Sequence, residues 1–298
     1  MRCETILDAI GNTPLVRLRR IAGDRAIELW AKVEGQNPGG SAKDRLALHL
    51  VTSAEARGEL AAGDTLVEAS AGNTGIGLAL IAAVRGYKAT IVVPAGTSAN
   101  KLAVARAYGA EIHTCRDEED YEGVAARLGR QPGWFRPNQF ESADNPRAHG
   151  GSTAEELWQE LDGRIDVLVA TSGTGGTLAG LGRALKARDP KLALVRALPQ
   201  AADGGESCLE GIASDGPPES FHCPAIDREV RVDDDEARRM AVALARTEGL
   251  YVSGSSGAAV AAALRYADAL PPRGPGAPPV RIVVILPDTG RNYLDVAG

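Results

Sequence analysis

The sequence predicts an α/β protein of two subdomains, each a mainly parallel twisted sheet flanked by helices. Three observations carry this expectation. Short β-branched runs alternate with helix-period segments along the chain. Several apolar runs lead directly into Gly/Ser/Thr turns and then into helices, the format of strand-to-helix connections at the carboxyl edge of a parallel sheet. The length, 298 residues, exceeds what one compact core usually holds.

In chain order the elements read as follows. Residues 28–33 form a strand and 42–57 a helix. A strand at 65–68 leads to a helix at 74–85, and a strand at 89–93 to a helix at 99–108. A strand at 111–114 precedes a helix at 121–128. Residues 147–161 read as one helix, 166–170 as a buried strand, 176–187 as a helix and 193–198 as a strand. Helices follow at 233–248 and 256–267, and 281–286 is an apolar last strand. The stretch 201–225, rich in Gly, Pro and Ser, is long for a connection and reads as a functional loop. Residues 271–279 read as a surface loop. Pro137 and Pro146 bracket a polar stretch where the subdomain changes, near 138–147.

Bulk properties narrow the function. An apolar content of 44% and a charged content of 24% are those of an ordinary globular protein. A net charge of −6, with no basic run interleaved with aromatics, argues against nucleic acid. Cys3, Cys115, Cys208 and Cys223 lack the C-x-x-C spacing of zinc sites, and reduced cytoplasmic thiols are expected. The scattered histidines give no helical ligand pair, so no metal site is expected. Apolar windows such as 76–84 are too short to span a bilayer, so no membrane partner is expected. The first residues lack the apolar core of a signal peptide.

The stretch Asn37-Pro38-Gly39-Gly40-Ser41-Ala42-Lys43-Asp44-Arg45 carries the first chemistry. It joins a strand to a helix, with Ser41 placed as N-cap. Lys43 then falls in the first helical turn, where the helix dipole disfavours a cation and lowers the amine pKa. A neutral amine there suits Schiff-base chemistry. The plainer alternative is a solvated lysine beside a paired Asp44 and Arg45. A phosphate loop of the G-x-x-x-x-G-K-[ST] kind is excluded, because Asp44 follows Lys43.

Three further turns share the strand–turn–helix format: Glu68-Ala69-Ser70-Ala71-Gly72-Asn73-Thr74-Gly75, Thr171-Ser172-Gly173-Thr174-Gly175-Gly176-Thr177 and Ser253-Gly254-Ser255-Ser256-Gly257. Each offers backbone N–H groups at a helix N-terminus, which is an anion site. The 173–177 turn is the densest and suits a phosphate monoester. It lacks the dinucleotide pattern G-x-G-x-x-G, since the sixth position is Leu178, which counts against a nicotinamide oxidoreductase. Any one turn alone is equally well a tight connection without ligand.

Together, and in this order, these motifs resemble the pyridoxal-phosphate (PLP) enzymes of the cysteine synthase family, including O-acetylserine sulfhydrylase and cystathionine β-synthase. The resemblance runs from Ile10-Gly-Asn-Thr-Pro-Leu15 to Leu286-Pro-Asp-Thr-Gly-Arg-Asn-Tyr-Leu294. The run from Asp235 through Glu248-Gly249 into the Ser255 turn is most similar to the B-type synthases. The resemblance implies fold type II, the tryptophan synthase β-like fold. It also implies a smaller mobile domain, 37–143, closing over the substrate, and a larger domain, 1–36 plus 144–298, holding the cofactor phosphate. A cytoplasmic homodimer is implied in the same way.

It assigns roles as well. Lys43 would bond PLP and shuttle the Cα proton. Gly173, Thr174, Gly175, Gly176 and Thr177 would cradle the phosphate. Asn73 would bond the ring 3′-oxygen, and Ser255 would face the pyridine nitrogen. A hydroxyl there does not force that nitrogen to stay protonated, so the ring is the weaker electron sink that favours β-elimination over transamination. The substrate carboxylate would lie on Ser70, Ala71, Gly72, Asn73 and Thr74, with Gln139 beside it and Gly211 in the loop at the entrance. The implied reaction is L-cysteine from O-acetyl-L-serine and sulfide through an aminoacrylate.

Two departures matter. The family usually carries Thr-Ser-Gly-Asn-Thr where this chain has Ser70-Ala71-Gly72-Asn73-Thr74, so a hydroxyl is missing at Ala71. The run after His149, Gly150-Gly151-Ser152-Thr153, also differs. Alternatives are a cystathionine β-synthase-like condensation of serine with homocysteine, a serine/threonine dehydratase and, in another class, a non-catalytic partner-binding module. The loop 200–216 carries Asp203, Glu206 and Glu210 and neither Arg nor Lys, which disfavours dianionic O-phosphoserine.

Overall fold

Two sheets of unequal size organise the chain. The structure is a computed structural model; it describes residues 2–116, 119–200, 207, 209, 211–212, 221–272, 274 and 276–292. The strands in chain order are β1 (Leu15–Arg17), β2 (Ile27–Val33), β3 (Thr65–Ala69), β4 (Lys88–Val93), β5 (Glu111–Thr114), β6 (Trp134–Phe135), β7 (Val167–Thr171), β8 (Ala193–Gln200), β9 (Arg228–Asp233) and β10 (Val280–Leu286). The helices are α1 (Arg19–Ala22), α2 (Lys43–Arg57), α3 (Asn73–Arg85), α4 (Ala99–Ala107), α5 (Tyr121–Leu128), α6 (Asp144–Ala148), α7 (Ala154–Glu160), α8 (Gly176–Arg188), α9 (Asp234–Glu248) and α10 (Gly254–Asp268).

The larger sheet has six strands in the order β1-β2-β10-β7-β8-β9, the smaller four in the order β5-β4-β3-β6. Every pairing is parallel except β1 with β2. Strands β7 and β10 are buried on both faces, which is why they read as unbroken apolar runs. The period-2 geometry sorts their side chains. Leu168, Leu194 and Val283 share a face with Leu178, Leu181 and Leu185 of α8. Val169, Val195 and Val284 face Val260 and Leu264 of α10 and Leu244 of α9. In the smaller sheet Leu66, Ile91 and Val93 lie with Val51 of α2 and Leu78 of α3. Val67 and Val92 point to the other face, with Val124 of α5.

This topology aims four loops at one place. The carboxyl ends of β2, β3, β7 and β10 lead into the Lys43 turn, the 70–75 turn, the 172–177 turn and Asp288, as expected for ligand sites in parallel sheets. Isolated bridges tie Ser41 to Asp288 and Val252 to Thr289, so the C-terminal segment crosses beside the start of α2 and the Ser253 turn. Among the described residues no helix is long and apolar enough to cross a membrane.

The elements depart from expectation in identifiable places. Residues 147–161 do not form one helix: α6 and α7 are separated by a π turn, His149–Thr153. The Ser152 hydroxyl donates to Ala148 O at 2.5 Å, and Gly150 lies against the Gly180 backbone. That local bond and the close approach widen the turn. Ser41 is not the N-cap of α2; Ala42 holds that position, although the Ser41 hydroxyl still accepts the Lys43 N–H at 3.1 Å. Asp233 caps α9 rather than beginning it, accepting from Asp235 N and Glu236 N. Strands β1, β6 and β9 and helix α1 were not expected. They are short or half-polar, and pairing with a neighbour, not hydrophobic pattern, creates the strands. Of the 200–216 loop, Asp203, Glu206 and Glu210 lie outside the described residues.

Candidate active site

Lys43 opens α2 with its side chain half-buried. Its Nζ reaches Thr174 Oγ1 at 3.4 Å. Burial of the amine lowers its pKa to about 8, against the opposing pull of the Asp288 carboxylate. Desolvation, not the helix dipole, is the leading cause. The neutral fraction at pH 7 is thereby roughly 300-fold higher than for an ordinary lysine.

A buried ionic frame holds the start of α2. Arg45 donates from Nε to Glu34 at 2.7 Å and from Nη1 to Glu156 at 2.6 Å. Glu156 also takes Lys32 at 2.8 Å. Arg45 and Glu34 are almost fully buried, so each charge depends on its partners. The frame joins α2 to β2 and α7. Asp44 accepts Gly39 N at 2.5 Å, closing the turn before Lys43, and burial pushes its carboxyl up to about 7.

The 70–75 turn is built from its own first hydroxyl. Ser70 Oγ accepts the N–H groups of Gly72 at 3.3 Å and Gly75 at 3.1 Å. Thr74 donates to Gln139 Oε1 at 2.6 Å, and Gln139 Nε2 reaches Ala69 O at 3.4 Å. Beneath them Glu68, buried in β3, accepts Ala69 N at 3.2 Å and Gln139 N at 3.3 Å. Burial raises this carboxyl to about 7. The structure thus brings Gln139 against Thr74 across 65 residues. Gly72 faces open space, and Ala71 is half-buried against the apolar cluster of the smaller sheet. Asn73 donates to Asp288 Oδ2 and accepts from Asn292 Nδ2, each at 2.9 Å.

The 173–177 turn requires its glycines. Gly175 has φ +87°, outside the range most side chains adopt. A Cβ on Gly176 would lie 1.7 Å from Asn145 Oδ1, and one on Gly173 2.5 Å from Gly211 O. Gly211 therefore sits against this turn. Thr174 Oγ1 gathers Asn145 Nδ2 at 3.0 Å and Gly176 N at 3.4 Å besides Lys43. Thr177 Oγ1 meets His149 Nε2 at 3.1 Å, and His149 Nδ1 meets Thr153 Oγ1 at 3.2 Å. Burial drives the His149 pKa down to about 3, so the ring is neutral.

Ser255, in the first turn of α10, bonds Ser253 Oγ at 2.8 Å, and Ser253 donates to Asp288 Oδ1. All three are buried. Asp288 thus links Asn73 to the Ser253 turn beside Lys43. Sequence reasoning gave no role to Asp288, Asn292, Ser253, Asn145, His149 or Glu68. Asp288 and Asn292 lie within a run quoted for its resemblance, and Glu68 and Ser253 open two of the turns singled out, which were the available signals; Asn145 and His149 have none in the sequence alone.

The family described as pyridoxal-phosphate dependent enzymes matches residues 6–288. The chain belongs to it. Within these PLP-dependent enzymes it falls in the cysteine synthase/cystathionine β-synthase group. It is 41% identical to cysteine synthase B of Pseudomonas aeruginosa over 97% of this chain and 95% of that one. A solved O-ureido-L-serine synthase is similar with a TM-score of 0.89 and 38% identity, covering 100% of this chain and 95% of the other. A hydrogen sulfide-producing enzyme of Fusobacterium nucleatum has a TM-score of 0.89 at 33% identity, covering 98% of each chain. The fold is therefore the tryptophan synthase β-like type II of PLP enzymes.

The residues present suit PLP. The 173–177 turn leaves no room for side chains at Gly173 or Gly176. Ser172 Oγ and Asn145 Oδ1 are buried beside it without a protein partner, as expected where a polar ligand completes the bonding. Lys43 supplies the amine within reach of that turn.

Proposed function

We propose that this PLP enzyme makes L-cysteine from O-acetyl-L-serine and sulfide by β-replacement. The observation that carries the reading is the meeting of Lys43, its pKa lowered to about 8, with the 173–177 turn on one side and Asp288-linked Asn73 on the other. The 41% identity to a cysteine synthase B over nearly the whole chain supports it.

When bound, PLP supplies the electron sink at the substrate α-carbon. The chain's residues do the rest. The N–H groups of Gly173, Thr174, Gly175, Gly176 and Thr177 receive the phosphate at the start of α8. Lys43 bonds the cofactor and then moves the proton at Cα, a task that suits an amine with pKa near operating pH. The start of α3, with Ser70, Ala71, Gly72, Asn73 and Thr74, receives the substrate carboxylate. Gln139, fixed by Thr74 and Glu68, closes that subsite. Asn73 also holds the ring 3′-oxygen, and Ser255 faces the ring nitrogen. Gly211 lies at the substrate entrance. Residues 37–143 form the smaller domain that closes over the amino acid, against a larger domain of 1–36 plus 144–298, and the enzyme is a homodimer.

O-Acetylserine is preferred over O-phosphoserine because the 200–216 loop carries acidic side chains and no cation. Of the two arginines that could supply a cation from elsewhere, Arg147 is paired with Asp144 at 3.0 Å, whereas Arg291 lines a cavity with Asp288 and Asn292 and is the one to substitute if O-phosphoserine is used. A second reading follows from the O-ureido-L-serine synthase: the same elimination, with a different nucleophile, would give O-ureido-L-serine. A panel of O-acetylserine, O-phosphoserine and serine against sulfide, thiosulfate, hydroxyurea and homocysteine separates these. The reading fails if kcat/KM with O-phosphoserine equals that with O-acetylserine, or if hydroxyurea outpaces sulfide.

A further inference from the structure

A cavity of about 420 Å³ lies against the 35–40 turn, between α4 beside the smaller sheet and the 249–252 and 288–292 segments beside the larger. Its volume is that of a small-molecule pocket. Its lining includes neither Lys43 nor any residue of the 70–75 and 172–177 turns, so it is separate from the cofactor site, although the two share Asp288. One lining side chain is a cation, Arg291, and one a carboxylate, Asp288. Both Asp288 oxygens are already engaged, Oδ2 by Asn73 at 2.9 Å and Oδ1 by Ser253. Asn37 is engaged too, accepting Gly11 N and donating to Glu34 O, each at 2.8 Å. The Arg291 guanidinium and the Tyr108 and Tyr251 phenols have no hydrogen-bond partner among the described residues. Tyr251 lies against the Gly290 backbone, where a Cβ would meet its ring at 3.1 Å, so it forms a fixed wall.

These groups define a ligand. A guanidinium fork pairs with a carboxylate through two parallel bonds, and tyrosine rings take an apolar body. A dianion would meet a single cation, with Asp288 beside it. The same wall reaches the catalytic site, because Asn292 donates to Asn73 Oδ1 at 2.9 Å. We propose that this cavity is a second binding site, for a small organic carboxylate, and that its occupant acts on the catalytic site through Asn292 and Asn73. The carboxylate pairs with Arg291, and the apolar body lies between Tyr108 and Tyr251. The effect on the cofactor rests on the reading that Asn73 holds the ring 3′-oxygen; the binding itself does not.

The test is a calorimetric titration of the holoenzyme with benzoate. Saturable binding at millimolar concentration is expected. Benzyl alcohol, a ring of the same size without the charge, should bind weaker by on the order of 10-fold. Arg291→Gln should raise the benzoate Kd by on the order of 10-fold, and Arg291 is exposed, so the variant keeps its fold. Thr74→Val, which damages the substrate-carboxylate subsite, should leave the Kd unchanged. In wild type the visible band of the bound cofactor should move as benzoate saturates, and in Arg291→Gln it should move only at correspondingly higher concentration. Absence of binding, or a Kd that follows Thr74→Val and ignores Arg291→Gln, overturns the site. Binding that leaves the band unmoved overturns its link to Asn73. Asn73→Ala without benzoate separates that failure from an error about Asn73 itself, since a band it does not move refutes the reading of Asn73 and not the cavity. No arm requires turnover, so each stands apart from the choice of O-acetylserine and sulfide.

Discussion

Lys32 and Lys43 lie eleven residues apart, on β2 and at the start of α2, and their surroundings differ. Lys32 is fully buried, with its amine on Thr13 O at 2.7 Å and on Glu156 and Glu160, each at 2.8 Å. Lys43 is half-buried and reaches one hydroxyl at 3.4 Å, with Asp288 acting on it through space. The contrast shows that enclosure does not by itself decide what a lysine does. A buried ammonium given carboxylates is a structural cation. One enclosed with few acceptors loses its preference for charge and becomes a usable amine. The two are joined: Glu156, a partner of Lys32, also holds Arg45, so the structural lysine helps set the helix that carries the reactive one.

The sharpest way to break this contrast is to remove each amine in turn. Lys43→Ala should lower kcat by on the order of 10³-fold or more and abolish the visible band of the bound cofactor, while the urea midpoint of the apoprotein barely moves. Borohydride reduction followed by peptide mapping should place the pyridoxyl group on Lys43; label on another lysine would refute the assignment. Lys32→Met should do the opposite. It leaves Glu156 and Glu160 short of a partner and should cost about 3–5 kcal/mol in equilibrium unfolding, with the cofactor band intact in the folded fraction. A loss of less than about 1 kcal/mol would show that the cluster is solvated.

The contrast also has a pH signature. Uptake of PLP by the apoprotein needs the neutral amine, so its rate should rise with pH and reach half its maximum near pH 8, where Lys43 titrates. Asp288 holds the amine pKa up, so Asp288→Asn should shift that midpoint to lower pH. A shift to higher pH would mean that the carboxylate acts on Lys43 in some other way.

The smallest effect concerns the substrate turn. Ala71→Ser adds a hydroxyl beside Ser70, whose own oxygen is taken by Gly72 and Gly75. KM for the amino acid should fall by the worth of one hydrogen bond, about 0.5–1.5 kcal/mol. A higher KM would indicate that the turn packs around alanine.

Particular residues show where legibility ended. Lys43 was visible because a lysine in a first helical turn after Pro38, Gly39 and Gly40 is locally anomalous. The 173–177 turn was visible because glycine density is a backbone signal carried by composition. Gln139 and Gly211 were reached through resemblance alone, since nothing local sets a loop amide or a loop glycine apart. The single helix expected over 147–161 failed because hydrophobic period does not register a hydroxyl bonding back to Ala148 or a backbone crossing at Gly180.

The sequence by itself determined the α/β class, most strands and helices, and the residues able to carry the chemistry, because period, turn composition and capping act over a few neighbouring residues. Only the tertiary structure decided how those residues are charged and aimed. The leading cause of the lowered Lys43 pKa is enclosure, not its own helix. Ser255 is bonded to Ser253, which in turn donates to Asp288, 35 residues away in the chain. Proton positions and pKa values depend on whatever lies within a few ångströms, and in this fold those neighbours come from the ends of four different strands.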